Sequence, residues 1–502
     1  MAAKKIMIQG TGSYVGKSVI AAALCRYFRE QGYRVAPFKA QNMSNNSFVT
    51  AGGGEIGRSQ AFQAEACDIE PTVEMNPILL KPSTDSGAQV VVLGKAVRLM
   101  NAREYHEHQP RLISIIRDSL ATLSAQHDIV VIEGAGSPAE INLRPFDIVN
   151  MRVAQMASAP VLIVGDISLG GVFASLVGTL ELLQDDEREL VKGFLINKFR
   201  GDVSLLQDGL TFLTAKTGKK VLGVLPFVPD LGVPEEDSIA DSKWSRPRLS
   251  DDNKLLIQVL LLPHISNSTD FEPLERESDV ELHYLRHPPR PDERSPGLLV
   301  LPGSKSTIAD LAFLRSSGLA DYIVRCHDAA VPILGICGGY QMLGEKLFDP
   351  LGVESRTTSM EGLGLLDVQT TFEPEKTTQQ VRAISLDHEE AVVGYEIHMG
   401  RTTPLGPWRP LFRVIERSGQ PVREFDGSRS ENGSVLGTYL HGVFDASRFR
   451  RRLLNEMRGR RGWPPLPPNN CTETSKPLAS LVNLVRQHVD LPELLGILGI
   501  GT

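Results

Sequence analysis

The sequence predicts an α/β protein made of two doubly wound domains. Three observations carry that reading. Short β-branched runs alternate with helical patterns through both halves of the 502 residues, a glycine-rich loop ending in Lys-Ser follows the first of those runs, and a cysteine set between glycines follows a later one. A chain this long exceeds what one hydrophobic core supports, so two domains are expected.

In the first half "KKIMIQG", "YRVAPF", "DIVVIEG", "APVLIVGDI", "VKGFLINKF" and "KVLGVLPF" have strand character. Between the first two, "GKSVIAAALCRYFREQG" has helical apolar spacing, and Gly32 stands where a C-terminal cap is expected. Periodicity fades from about Pro229, which gives a first domain at 1–235 and a linker at 236–253. A second series then runs "KLLIQVLLLP", "DVELHYLRH", "GLLVLPGSK", a helix from about Ser306 to Ala329, "VPILGIC", "VVGYEIHMGRT" and "SVLGTYLHGVF", a domain at 254–450. Residues 451–502 form a C-terminal extension in which "LASLVNLVRQHVDLPELLGIL" predicts one amphipathic helix.

Composition narrows the function. A hydrophobic share of 41% and a net charge of −7 without a dense basic run argue for a folded enzyme acting on small molecules and against nucleic acid. Five widely spaced cysteines fit neither a disulfide framework nor a zinc site, and no apolar run approaches a membrane span. A cytoplasmic protein is the expectation, and the oligomeric state stays open.

"IMIQGTGSYVGKSVIAAAL" places a glycine-rich turn between strand and helix, the setting of a phosphate loop. Backbone N–H groups around Gly10, Thr11, Gly12 and Gly16 would cradle a polyphosphate, Lys17 would reach its oxygens, and Ser18 would hold magnesium. The loop is one residue longer than the standard form, with Thr11 where the first glycine usually stands. Glu133, at the end of "VVIEG", sits where such folds place a magnesium-binding carboxylate, or is a turn-flanking acid; Asp147 and Asp166 share that ambiguity. This lengthened loop resembles that of dethiobiotin synthetase and its amidoligase relatives, which implies a nucleotide contact for Asn197, with Lys198 beside it.

"GICGGYQML" has the form of a nucleophile elbow, with Cys337 at the turn and a helix start behind it. His441 in "GTYLHGVF" is the candidate base, and the N–H groups of Gly338 and of the Gly303–Ser304 segment are the candidate oxyanion hole. In this order the segments resemble the class I, triad-type glutamine amidotransferases, which have a flavodoxin-like fold. That family carries a glutamate two residues after the histidine, where Val443 stands here. The expectation is a Cys-His dyad of slower turnover, with Glu396 and His398 as candidates for support, packing or substrate contact. His106 and His108 suggest an exposed polar helix start rather than a metal site.

A glutaminase fused to an ATP-splitting domain implies amide synthesis through an acyl phosphate. The segments "PFKAQNMSNNS", "EIGRSQAFQAEAC", "MNPILLKPSTDSGAQVVVLGK", "EGAGSPAEINLR" and "GYEIHMGRT", with those above, resemble the cobyric acid synthase family. The resemblance implies amidation of the b, d, e and g carboxylates of adenosylcobyrinic acid a,c-diamide, using ATP, Mg2+ and glutamine. Lys39 is expected near the acyl phosphate, with Asn42, Lys81 and Asp147 towards the corrinoid, unless the lysines are merely solvated. Two rivals remain: a cobyrinic acid a,c-diamide synthase, and a ParA-like nucleotide-dependent binding protein with an inactive glutaminase fold. Against the second, this chain has Gly12 at the loop position where that group carries its signature lysine.

Overall fold

The computed structural model of the chain describes residues 3–84, 87–229, 231, 233, 252–290, 292–468 and 475–501, so the expected linker lies almost wholly outside the described residues. The first domain is built on a six-stranded parallel sheet in the order 220–226, 191–199, 161–166, 4–10, 129–133, 35–38. The strands at Ile129–Glu133 and Val161–Asp166 are buried along their whole length, as expected for a sheet covered on both faces. Lys4–Gly10 is central, with the chain order running away from it on either side. Its carboxyl end is therefore the topological switch point, where doubly wound folds bind ligands.

The second domain holds a parallel sheet in the order 280–285, 255–260, 298–301, 333–336, 435–438, with an antiparallel edge at 428–429. Numbered along the chain this is 2-1-3-4-5, the flavodoxin-like order. The expected helix at Ser306–Ala329 is two helices, Thr307–Ser316 and Leu319–Asp328, broken at Gly318, whose φ is +77°. "VVGYEIHMGRT" does not join the parallel sheet. It belongs to an antiparallel layer in which Val368–Ser385 pairs with Ala391–Pro404, and one face stays partly open, as the polar alternation of both strands demands.

The C-terminal segment forms two helices, Ser475–His488 and Leu491–Leu498, because Asp490 caps the second through the Glu493 N–H and Pro492 stands in its first turn. Leu481, Val485, Leu494 and Leu498 share a core with Ile8, Ile20, Leu24 and Phe28 of the first domain, so the end of the chain closes the fold that its start begins. The helix Ser447–Arg460 runs across the expected boundary at 450. It is fastened to the second domain by Arg450, Arg451 and Arg458, which pair in the interior with Glu277 and Asp279.

The domains meet through a small apolar cluster of Val49 with Tyr395 and Ile397. Polar contacts surround it, including Gln380 Nε2 donating to the Val49 carbonyl at 2.8 Å.

Candidate active site

The phosphate loop connects Lys4–Gly10 to the helix Lys17–Glu30. Lys17 is buried, and its Nζ donates to the carbonyls of Gly12 at 2.7 Å and Gly136 at 3.1 Å, curling over the loop. Gly16 has φ +104°, and a Cβ there would lie 2.1 Å from Asn197 Nδ2. Asn197 donates to the Val15 carbonyl at 2.9 Å, while Lys198 reaches the Tyr14 carbonyl and Asp166. Asn197 thus grips the back of the loop through its side-chain nitrogen.

Glu133 gathers three partners in the interior: Ser18 Oγ at 2.8 Å, Lys39 Nζ at 3.0 Å and Gln63 Nε2 at 2.6 Å. Ser18 and Glu133 face each other beside the loop, and a hydroxyl with a carboxylate is the donor set by which phosphate-loop proteins hold Mg2+ against a polyphosphate. The residues fit that ion. The Asp147 carboxylate accepts the N–H groups of Val149, Asn150 and Arg152, the last in the first turn of the helix Met151–Ala157.

The thiol site stands at the carboxyl end of the second sheet. Cys337 joins Ile333–Ile336 to the helix Gly338–Leu343 with φ +52° and ψ −107°, a conformation costing about 1–3 kcal/mol for a side-chain-bearing residue. A Cβ on Gly338 would lie 2.8 Å from the Ser304 backbone nitrogen, and one on Gly303 3.0 Å from His441 Cε1. The two candidate oxyanion segments therefore close on the same space. Asp310, fully buried, steadies that wall by accepting from Ser304 Oγ at 2.6 Å and contacting His264 Nδ1 at 2.8 Å.

The expected dyad has a third member. Asp270 Oδ2 lies 2.7 Å from His441 Nδ1, and its Oδ1 accepts the Gly442 N–H at 2.9 Å. Burial opposes a charged imidazole, but the Asp270 carboxylate and the nearby Cys337 outweigh it and push His441 up to about 10. Val443, in the usual place of the acid, is buried in the apolar core. Asp270 was readable only through the rule that loops at the carboxyl ends of a doubly wound sheet converge, since "NSTDF" closely follows the first strand of the domain.

The other expected supports do not reach His441 in that role. Glu396 pairs with Arg417 at 2.9 Å, and His398 stacks on Tyr439 at 3.8 Å with its Nδ1 on the Gly400 carbonyl; burial holds His398 down to about 4. Along the long helix Ala102–Gln126, His108 Nδ1 contacts the Glu104 carbonyl, and the His106 side chain lies outside the described residues.

Lys81 and Asn42 are both buried. Asn42 Nδ2 donates to Gln60 Oε1 at 2.9 Å. Lys81 pairs with Glu55 at 2.6 Å, and Glu55 also takes Lys376 of the second domain at 2.5 Å. Burial alone would raise the Glu55 carboxyl; Lys376 and Lys81 reverse that and hold it well below the usual carboxylate range. Lys81 also lines the pocket over Cys337, together with Lys305, Gln341, Glu354 and Lys376, so the thiol site has a wall from each domain.

Comparison with known proteins agrees with this architecture. Residues 6–238 match the CobQ/CobB/MinD/ParA nucleotide binding domain family, and residues 256–449 match the CobB/CobQ-like glutamine amidotransferase domain family. The chain is 48% identical over 504 residues to the cobyric acid synthase of Alkaliphilus metalliredigens, covering 98% of this chain and 99% of that one. It is 48% identical over 510 residues to that of Moorella thermoacetica, covering 99% and 98%. For that of Sorangium cellulosum the identity is 48% over 524 residues, covering 100% and 99%. Full-length identity of this order sets aside the ParA-like binding protein with an inactive glutaminase fold: the chain belongs to the cobyric acid synthase family.

Proposed function

We propose that the protein amidates the b, d, e and g carboxylates of adenosylcobyrinic acid a,c-diamide, consuming ATP and glutamine and releasing ADP, phosphate and glutamate. The observation that carries this reading is the Cys337–His441–Asp270 array in a pocket whose far wall, at Lys81, comes from the domain with the phosphate loop.

Cys337 sulfur attacks the side-chain carbonyl carbon of glutamine, and the N–H groups of Gly338 and of the Gly303–Ser304 segment take up the charge on oxygen. The His441 imidazolium protonates the departing nitrogen, and ammonia leaves a thioester behind. Neutral His441 then takes a proton from water, whose oxygen displaces the sulfur to give glutamate. Asp270 holds the ring in the tautomer that both steps require. The pocket suits a free amino acid. Lys305, lowered chiefly by burial, supplies a cation for the α-carboxylate, and Glu354, raised by burial to about 7, lies opposite in charge on the same wall.

In the first domain the acceptor carboxylate attacks the γ-phosphorus of ATP, ADP departs, and ammonia displaces phosphate from the acyl phosphate to form the amide. Lys17 and the loop N–H groups would hold the phosphates in line. Ser18 and Glu133 would hold Mg2+, which neutralises phosphate charge. Lys39, bonded to Glu133, stands ready to stabilise the transferring group.

The test is product mass after incubation with adenosylcobyrinic acid a,c-diamide, ATP, Mg2+ and either glutamine or ammonia. Each amidation lowers the mass by about one unit, since a hydroxyl is exchanged for an amino group. Four amidations, kept by Cys337→Ser with ammonia and lost with glutamine, are expected. No mass change with either nitrogen source overturns the corrinoid assignment.

A further inference from the structure

We infer that residues 45–48 of the nucleotide-binding domain position the glutaminase triad of the other domain, with Asn46 as the principal positioning residue. This rests on the reading that Cys337, His441 and Asp270 hydrolyse glutamine.

Asp270 rides on a short 3-10 turn, Ser268–Phe271, whose start is held from across the domain boundary. Asn46 Oδ1 accepts the Ser268 N–H at 2.9 Å and the Ser268 hydroxyl at 3.3 Å. In return Asn267 Oδ1 accepts the Ser47 N–H at 2.9 Å, and the Asn267 N–H donates to the Asn45 carbonyl at 3.3 Å. Asn267 sits at φ +53°, a left-handed conformation that asparagine tolerates and that these bonds help to hold. Its Nδ2 lies 3.3 Å from His441 Nε2, and its carbonyl accepts the Asp270 N–H at 3.0 Å. The next residue along, Phe48, contacts Tyr395 at 6.2 Å between ring centroids, and Tyr395 stacks on His441 at 5.3 Å.

Four consecutive residues of one domain thus reach the turn that carries the carboxylate orienting the imidazole, the amide beside its other nitrogen, and the ring packed on its face. In the class I arrangement with a glutamate two residues past the histidine, acid and base share one loop. Here the acid comes from a separate turn, and residues 45–48 supply what that shared loop would have provided. Losing the Asn46 acceptor leaves two buried donors of Ser268 unmet, and the turn shifts to satisfy them. A displacement of about 1 Å at a catalytic group costs on the order of 10²-fold in rate.

The experiment measures glutamate release, its pH profile, and the rate at which iodoacetamide alkylates Cys337, in Asn46→Ala and Asn46→Asp. In Asn46→Ala, kcat for glutamate release is expected to fall by about 10- to 100-fold with KM for glutamine little changed. Its alkaline limb and the pH dependence of alkylation move to lower pH, and ATP-dependent turnover with ammonia persists. Asn46→Asp, which keeps an acceptor oxygen, recovers most of the loss. Unaltered kcat and pH profile in Asn46→Ala overturn the inference, as does equal loss in both variants. Loss of ammonia-supported turnover along with glutamate release assigns Asn46 to folding or to the synthetase site, and overturns it too. Neither glutamate release nor alkylation needs the corrinoid. A failure confined to these readouts therefore refutes the clasp alone, whereas absence of glutamate release from the unaltered protein refutes the glutaminase reading.

Discussion

Replacing Asp270 by asparagine removes one charge from beside His441 Nδ1, 2.7 Å away, and keeps an oxygen for the Gly442 N–H. Opposite charges centred about 4 Å apart attract by about 4 kcal/mol at the effective dielectric suited to protein sites. That is roughly three pH units of preference for the imidazolium, at 1.36 kcal/mol for each. The amide also donates where the carboxylate accepted, which drives the ring proton to the nitrogen that serves the sulfur. The native alkaline limit, set by His441 near 10, is expected to fall towards 7 in Asp270→Asn. The value of kcat/KM for glutamine should drop by about 10²- to 10⁴-fold. Glutamate release followed from pH 6 to 10 checks both, with ammonia-supported amidation as the control for an intact first domain. A variant within threefold of native activity and with an unmoved alkaline limb refutes the assignment of Asp270. Stability shares the linkage. The His441 proton is held more tightly in the folded chain than in the unfolded one, so its contribution is complete below about 6.5 and is lost as pH rises through about 10.

Lys305→Met should raise KM for glutamine by about 10- to 100-fold with kcat nearly constant, the worth of one charge-assisted hydrogen bond to the α-carboxylate; steady-state kinetics with an unchanged KM removes Lys305 from the glutamine site. Glu133→Gln should lower ammonia-supported, ATP-dependent amidation by at least about 10²-fold, because Ser18 loses its carboxylate neighbour; a rate near native under saturating Mg2+ denies Glu133 that place. Glu55→Gln leaves the ammonium groups of Lys81 and Lys376 buried without a counter-charge, and denaturant unfolding should show a loss of about 3–5 kcal/mol. Because the Glu55 carboxyl is held below its ordinary value of 4.5, its stabilisation is present above that pH and lost in acid, so native and variant stabilities should converge as pH falls.

What could be read from the sequence divides along physical lines. The phosphate loop, the elbow at Cys337 and the run of buried strands are local: a few neighbouring residues determine each, and each appears where its segment predicts it. Asp270 was legible only through the convergence of two loops at one sheet end and not from its own neighbours, and the sequence offered an apolar residue, Val443, in the customary place. Lys81 and Asn42 were expected towards substrate because their loops follow strands at the carboxyl end of the sheet; the partners that bury them, Glu55 and Lys376 for Lys81 and Gln60 for Asn42, come from distant segments that no local pattern announces. The C-terminal helices were legible as amphipathic, but an apolar stripe does not say which surface it covers, and here it is the helix behind the phosphate loop.

The pocket proposed to release ammonia would also influence the form in which ammonia leaves it. Lys376, which lines it, is pulled from 10.5 to about 8, chiefly because burial disfavours its charge, and Lys305 is lowered for the same reason. An ammonium ion in that space meets the same loss of solvation and the same repulsion from neighbouring lysines. Neutral ammonia, the form able to attack the proposed acyl phosphate, would be favoured there relative to bulk water. Lys81 and Lys376 therefore do more than join the domains through Glu55. With Lys305 they oppose a further cation beside them; of the carboxylates near that space, Glu55 is already paired to Lys81 and Lys376, and Glu354, raised by burial to about 7, is the one left to meet the α-ammonium of glutamine.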